Sequence, residues 1–327
     1  MKPSNLESSL KILIQSKQPA FLWGPPGVGK SQIVHQVARA VELACTDVRA
    51  VLLDPVDLRG LPHINGDNRA HWATPDFLPQ GGNGVLFLDE LNAAPPLVQA
   101  ACYQLVLDRK IGEYTLPDGW AVIAAGNRES DRAVTHRMPS ALANRFVHIE
   151  FEVDIDDWCY WALQNNIKSE VVAFLRFRPV LLHQFDERTD VKAFPSPRAW
   201  EFVSRILAQN PGSEIEYELL AGTVGEGAAT ELLGFLRIFR SLPSPEAILV
   251  DPAGATLPDD PAALYALASV LARKASPENF GQVVAYAQRM PAEFAVLLMR
   301  DAINRTPEVQ NTRAYVTWAA NNNDVLI

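Results

Sequence analysis

The stretch Gly24-Pro-Pro-Gly-Val-Gly-Lys30-Ser31 constrains this chain more than any other. It lies between an apolar run, Pro19-Ala-Phe-Leu-Trp23, and an amphipathic stretch from Ser31 to Leu43. In that stretch Ile33, Val34, Val37, Ala38 and Val41 share one helical face. Strand, glycine turn and helix in that order let backbone N–H groups turn inward onto phosphate oxygens, and the helix N-terminus adds a favourable dipole. Lys30 then reaches the β- and γ-phosphates of ATP, and the Ser31 hydroxyl ligates Mg2+. The nucleotide-binding candidates are Gly24, Pro25, Pro26, Gly27, Val28, Gly29, Lys30, Ser31 and Gln32. Ordinary residue usage gives such a pattern by accident in roughly one chain of this length in a hundred. The flanking strand and helix make accident rarer still.

The rest of the first half continues the alternation of apolar runs with amphipathic segments expected of a parallel α/β sheet. Val48–Leu53 and Gly84–Leu88 read as strands, Pro96–Asp108 as a helix with proline in its first turn, and Trp120–Ala125 and Phe146–Phe151 as further strands. Val85-Leu-Phe-Leu-Asp89-Glu90 ends a buried strand in two carboxylates. Ligands of parallel sheets sit at the carboxyl ends of strands. There Asp89 can hold magnesium and Glu90 can polarise a water as general base. An acidic turn after a buried strand is common by itself; the glycine loop upstream is what favours the catalytic reading. Asn127 closes the strand Trp120–Gly126, a place where asparagine is more often a plain turn residue.

After Asp154 the strand signals stop and helical periodicity takes over. Segments around Trp158–Leu163, Val171–Leu182, Pro197–Gln209 and Leu219–Leu242 read as helices, the last loosened at its start by Gly222, Gly225 and Gly227. Beyond the Leu242-Pro-Ser-Pro245 connection, Asp260-Pro261, Ser276-Pro277 and Thr306-Pro307 each resemble an N-cap followed by proline, and Met290-Pro291 is a weaker start. The expected organisation is an α/β nucleotide-binding core over 1–153, a helical lid over 154–242 and an all-α bundle over 243–327.

Composition narrows the partners. A net charge of −9 and the absence of basic runs longer than pairs such as Arg109-Lys110 argue against nucleic acid. No apolar run is long enough to span a bilayer. Cys45, Cys102 and Cys159 stand alone, and the six histidines show no metal spacing, so disulfides and zinc are not expected. A reducing, cytoplasmic setting follows from that reading.

These elements, in this order, resemble the AAA+ superfamily, and more narrowly the MoxR-type ATPases and their dynein-related relatives. The residues that carry the likeness are Asp54-Pro-Val-Asp-Leu-Arg-Gly60, Asp89-Glu-Leu-Asn-Ala-Ala-Pro-Pro96, Ile123-Ala-Ala-Gly-Asn127, Leu142-Ala-Asn-Arg-Phe146 and, in the lid, Ser196-Pro-Arg198. The resemblance covers about residues 4–210 and is most specific in the first 150. It implies a hexameric ring with ATP between subunits. It also implies Asn127 as the sensor of the γ-phosphate or lytic water, Arg145 as a finger lent to the neighbouring subunit, and Arg198 as a second sensor. Arg137 lies near Arg145 and is a second finger candidate, though a surface ion pair is the favoured reading for it. The same likeness makes Arg59–Pro79 the helix-two insert and Lys110–Gly119 the hairpin before the sensor strand, insertions that in related rings face the pore or the top surface and grip the client; a plain surface loop is the competing reading.

The expectation is therefore an ATP-hydrolysing, chaperone-like remodeller of a partner protein, with a von Willebrand factor A domain protein as the partner the resemblance implies. A nucleic-acid translocase on the same core and a nucleotide-gated scaffold with little turnover are the competing readings. Low pI opposes the first and the intact Asp89-Glu90 pair with Arg145 opposes the second.

Overall fold

The structure is a computed structural model that describes residues 1–64, 66, 69–131, 136, 138–186 and 191–322. The described residues form two compact units, one built on Met1–Asp154 and the other on Ile155–Phe185 with 191–322.

The first unit carries α1 (Pro3–Gln15), β1 (Ala20–Trp23), α2 (Lys30–Ala40), β2 (Ala44–Arg49), α3 (Pro55–Arg59), β3 (Leu61–Ile64) and β4 (Ala70–Ala73). It continues with β5 (Asn83–Asp89), α4 (Pro96–Asp108), β6 (Lys110–Ile111), β7 (Tyr114–Thr115), β8 (Gly119–Gly126), α5 (Ser140–Ala143) and β9 (Val147–Glu150). Five strands make one parallel sheet in the order β2-β5-β8-β1-β9, with Phe21 level with Ala124 on one side and His148 on the other. The chain crosses from β1 to the far edge, works inward, and then places β9 beyond β1. The order therefore reverses at β1, and that reversal opens a crevice at the carboxyl ends of the strands where ligands bind in open α/β sheets.

The apolar run of β5 has period two hidden within it. Val85 and Phe87 pack with Ile33, Val34 and Val37 of α2 and Leu6 and Leu10 of α1, whereas Leu86 and Leu88 pack with Val98, Cys102 and Leu105 of α4. Burial on both faces is why the central strands read as continuous hydrophobic stretches. The edge strand differs from its expectation. Apolar content pointed to Val48–Leu53, yet the strand is Ala44–Arg49 and a 3-10 turn covers Ala50–Leu52. An edge strand pairs on one side only, so Thr46 and Asp47 are tolerated there, while Leu52 is left exposed in the turn. α1 also lay outside the sequence expectation, although Leu6, Leu10 and Ile14 form a buried i, i+4, i+8 stripe. β3 with β4 and β6 with β7 form two antiparallel hairpins inside the segments expected as insertions.

The second unit is helical: α6 (Ile155–Gln164), α7 (Ser169–Phe177), α8 (Pro197–Ala208), α9 (Ser213–Val224), α10 (Glu226–Arg240), α11 (Pro245–Val250), α12 (Pro261–Lys274), α13 (Phe280–Ala287), α14 (Ala292–Arg305) and α15 (Arg313–Asn321). The helix expected over Leu219–Leu242 is two helices, α9 and α10, parted at Gly225 with φ 84°. Asp260 caps α12 as expected, accepting from Ala262 N at 2.7 Å and Ala263 N at 3.1 Å. Ser276-Pro277 opens a turn and α13 starts only at Phe280, because Asn279 Oδ1 takes the Ser276 N–H. Thr306-Pro307 opens a 3-10 turn, and Met290-Pro291, the weakest signal, leads into the full helix α14. α12 packs along α7 and α14, so the early and late helices belong to one packed body. No helix among the described residues is long and apolar enough to cross a membrane.

Candidate nucleotide site

The loop after β1 opens the crevice at the order reversal. Gly24 donates its N–H to Gly126 O at 3.3 Å, which fixes the start of the loop to the end of β8. Gly27 (φ 79°) and Gly29 (φ 101°) take left-handed backbone that other residues adopt only with strain, and Gly29 leads directly into α2. Val28 packs into the core beneath, with Gly24 and Pro25 buried, Pro26 and Ser31 half-buried, and Gln32 exposed on the first turn of α2.

Four of the sequence candidates converge. Lys30 is only 9% exposed. Its Nζ donates to Gly24 O at 2.5 Å, to Pro25 O at 3.0 Å and to Asn127 Oδ1 at 2.9 Å. Ser31 Oγ donates to Asp89 Oδ2 at 2.7 Å. The loop, the acidic strand end and Asn127, far apart in the chain, thus meet in one place. Glu90 follows Asp89 in left-handed backbone (φ 55°) and donates its N–H to Asp89 Oδ1 at 3.0 Å, with its own side chain exposed. A non-glycine residue held there is a form of strain that clusters at functional sites. Ser31 Oγ and the Asp89 carboxylate are hard oxygen donors in contact, the kind of partial set that Mg2+ accepts while keeping waters and phosphate oxygens for its other positions. No group of three or more His, Cys, Asp or Glu among the described residues makes an all-protein metal cage.

Two further candidates are surface residues. Arg145, two residues past α5, is exposed and makes no ion pair among the described residues. Arg198 is exposed on the first turn of α8 in the other unit, where Ser196 Oγ caps the helix through Ala199 N at 3.2 Å. Arg137 falls outside the described residues.

Several polar residues behind the site escaped the sequence reading. Asn92, 2% exposed, donates Nδ2 to Asn127 O at 2.7 Å. Gln99 of α4, also 2% exposed, donates to Asn92 O at 3.4 Å and Ala94 O at 3.0 Å. Arg128 is paired with the buried Asp131 at 2.9 Å. A polar residue inside an otherwise apolar stretch, as in Leu91-Asn92-Ala93-Ala94, was the available signal.

The two insertion hairpins are tied together. Tyr114 Oη donates to Pro79 O at 2.6 Å, and Glu113 reaches His71 at 3.6 Å and the Trp72 N–H at 3.4 Å.

A glycine-rich loop, an acidic strand end and a polar asparagine gathered at the crevice of a five-stranded parallel sheet define a P-loop α/β fold. Residues 19–146, about two fifths of the chain, match the family described as AAA domain (dynein-related subfamily). The match covers less than half of the chain, and it makes that segment similar to AAA domains. Midasin of Giardia intestinalis is 27% identical over 175 residues, which are 50% of this chain and 4% of that protein. The chain thus spans a small fraction of the curated relative it matches. Among solved structures, a Thermotoga maritima RuvB mutant is 16% identical with 82% of each chain covered and a TM-score of 0.39. A protein described as a putative ATPase from Cytophaga hutchinsonii is 15% identical over 92% of this chain and 80% of that one, with a TM-score of 0.38. NtrX of Brucella abortus in complex with ADP is 15% identical over 99% and 68%, with a TM-score of 0.43. Likenesses at those scores carry no weight for the assignment.

Proposed function

We propose that the whole chain is an ATP-hydrolysing AAA+ ring ATPase of the MoxR-like kind, a chaperone-like remodeller of a partner protein. The observation that supports this best is the meeting of Lys30, Ser31, Asp89 and Asn127 at the sheet crevice. In this reading the backbone of 24–31 cradles the phosphates, Lys30 exchanges its carbonyl partners for phosphate oxygens, and Asn127 orients the γ-phosphate or the attacking water. Ser31 and Asp89 hold Mg2+, which when bound neutralises charge on the phosphate oxygens. Glu90 receives the proton of the attacking water.

Arg145 is exposed and makes no ion pair among the described residues, as a guanidinium meant for a neighbour's γ-phosphate should. We assign it as the trans finger in a hexameric ring, and Arg198 as the lid sensor. The partition into core (1–153), lid (154–242) and C-terminal bundle (243–327) is kept as a division of roles. The tethered hairpins of the first unit offer exposed Leu61 and Ile64 as contact points for a protein client. A von Willebrand factor A domain protein is the proposed partner, and the cytoplasm the proposed location. The net charge of −9 favours a protein client over nucleic acid.

Phosphate release measured across a range of chain concentrations tests the reading. Specific activity is expected to climb with assembly, and Glu90→Gln to bind ATP while losing about 10²–10⁴ in turnover. Specific activity independent of concentration rules out the ring, and unchanged turnover in Glu90→Gln rules out the general base.

A further inference from the structure

We infer that Asn92 is a positioning residue of the nucleotide site, holding Asn127 where its side chain meets Lys30; the inference rests on the ATPase reading of that site. The Asn92 side chain is buried behind the crevice, three residues after Asp89 and two after Glu90. Its Nδ2 donates to the Asn127 carbonyl at 2.7 Å, and Asn127 Oδ1 in turn accepts from Lys30 at 2.9 Å. The backbone carbonyl of Asn92 accepts from Gln99 Nε2 at 3.4 Å and from the His136 N–H at 2.7 Å. Residue 92 is thus the crossing point of the acidic turn, the sensor strand and the segment that leads on towards Arg145.

The other end of the same amide argues for function. Asn92 Oδ1 is buried and has no hydrogen-bond partner among the described residues. A Cβ placed on Gly126 would lie 2.0 Å from that oxygen, so the oxygen rests against a bare glycine. Turning the amide over would set its oxygen against the Asn127 carbonyl, two acceptors face to face, so the donor end is fixed by its partner. A buried acceptor left unmade is costly, and leucine would fill the same space without it. An amide kept under that cost is kept for its donor. Gly126 fits the same logic, because any larger residue there would strike the amide oxygen.

Misplacing a group beside the reacting atoms harms turnover far more than binding, by up to about 10²-fold for an ångström. Residue 92 lies outside the 24–31 cradle. Its loss should therefore lower kcat and leave nucleotide affinity nearly unchanged.

The test uses the full chain, steady-state phosphate release, ADP binding by calorimetry and thermal melting. Asn92→Leu removes both the donor and the orphan oxygen. Its kcat should fall about tenfold or more, with the ADP dissociation constant within about threefold and Tm at or above that of the unsubstituted chain. Asn92→Asp donates to Asn127 only when protonated, a form that burial favours. Its kcat relative to the unsubstituted chain should rise as pH is lowered from about 8 to about 6. Turnover of Asn92→Leu within about twofold of the unsubstituted chain overturns the inference, as does a loss of turnover matched by equal losses of ADP affinity or Tm. Should Asn92→Leu fail to fold, a flat pH ratio for Asn92→Asp overturns it instead. An unsubstituted chain that hydrolyses no ATP at any concentration sinks the reading of the site itself, a result distinct from an active chain indifferent to residue 92.

Discussion

Asp301→Asn should lower the melting temperature of the helical unit by about 6–20 °C. Asp301 of α14 is fully buried and takes both terminal nitrogens of Arg176 from α7, with Nη2 to Oδ1 at 2.7 Å. The side chains are 7% and 1% exposed, and Arg176 Nε has no hydrogen-bond partner among the described residues. Burial works against the guanidinium charge, and the hydrogen bonds and charge of Asp301 outweigh it, so Arg176 is held above its ordinary pKa. Asparagine keeps the shape, removes the counter-charge and turns an N–H group towards N–H donors. Breaking a buried pair from one side costs about 3–5 kcal/mol. Each kcal/mol moves Tm by roughly 2–4 °C in a domain of about this size. The assay is far-UV circular dichroism melting at neutral pH, with fluorescence of the buried Trp158, Trp200 and Trp318 as a second probe. Removing both partners together, as Arg176→Met with Asp301→Leu, should recover most of the loss. A single variant melting within about 1 °C of the unsubstituted chain would refute the reasoning, and so would a double variant melting as low as the single one. A shift of the whole transition would also show that the boundary at residue 242 separates roles and not folding units.

Lys30→Ala should abolish nucleotide binding or hydrolysis, read by fluorescent-nucleotide titration, since it removes the ammonium held against the loop carbonyls and Asn127. Arg145→Ala should keep ATP binding and lose the rise of specific activity with concentration, a defect on the order of 10³–10⁵ if it matches the best-measured fingers. The Tyr114 phenol is pushed up to about 12 by burial, with Arg109 pulling it the other way. Its folded pKa exceeds its unfolded one, so the stability it contributes is whole below about 10 and lost as pH rises through about 12. Tyr114→Phe should cost about 1 kcal/mol at neutral pH and flatten that alkaline loss, read by urea melts across pH.

What the sequence disclosed is what local chemistry encodes. The loop needs glycines and a lysine in fixed order, the central strands need unbroken apolar runs, and Pro96 marks its helix start without help from distant residues. Those elements lie where the residues alone put them. The misreadings have one physical source, which is that pairing partners are not written locally. β2 sits at an edge, so its polar residues disguised it, and the apolar run beside it became a turn. Met290-Pro291 looked weak because its N-cap position carries no side-chain acceptor, yet Phe294, Leu298 and Met299 bury α14 against its neighbours. Packing supplied what capping did not.

The same distinction separates the site into a legible and an illegible half. Residues that touch nucleotide are confined by phosphate geometry to a few types at fixed spacing, and so announce themselves. Residues that hold them are confined only by each other: Asn92 matters because Asn127 lies above it, Gly126 because Asn92 lies against it, and Gln99 because Asn92 needs its carbonyl held. The insertions follow the same rule. Read separately, 59–79 and 110–119 are two surface loops. Joined through Tyr114, Glu113, His71 and Trp72, they are one tethered body, and a force on either hairpin must be felt by the other. β6 follows directly on α4, whose Gln99 supports Asn92, so that body stands two links from the residue proposed to set Asn127. On the proposed function, client contact at the hairpins and phosphate sensing at the crevice would be connected through α4, by side chains that no spacing rule could have picked out.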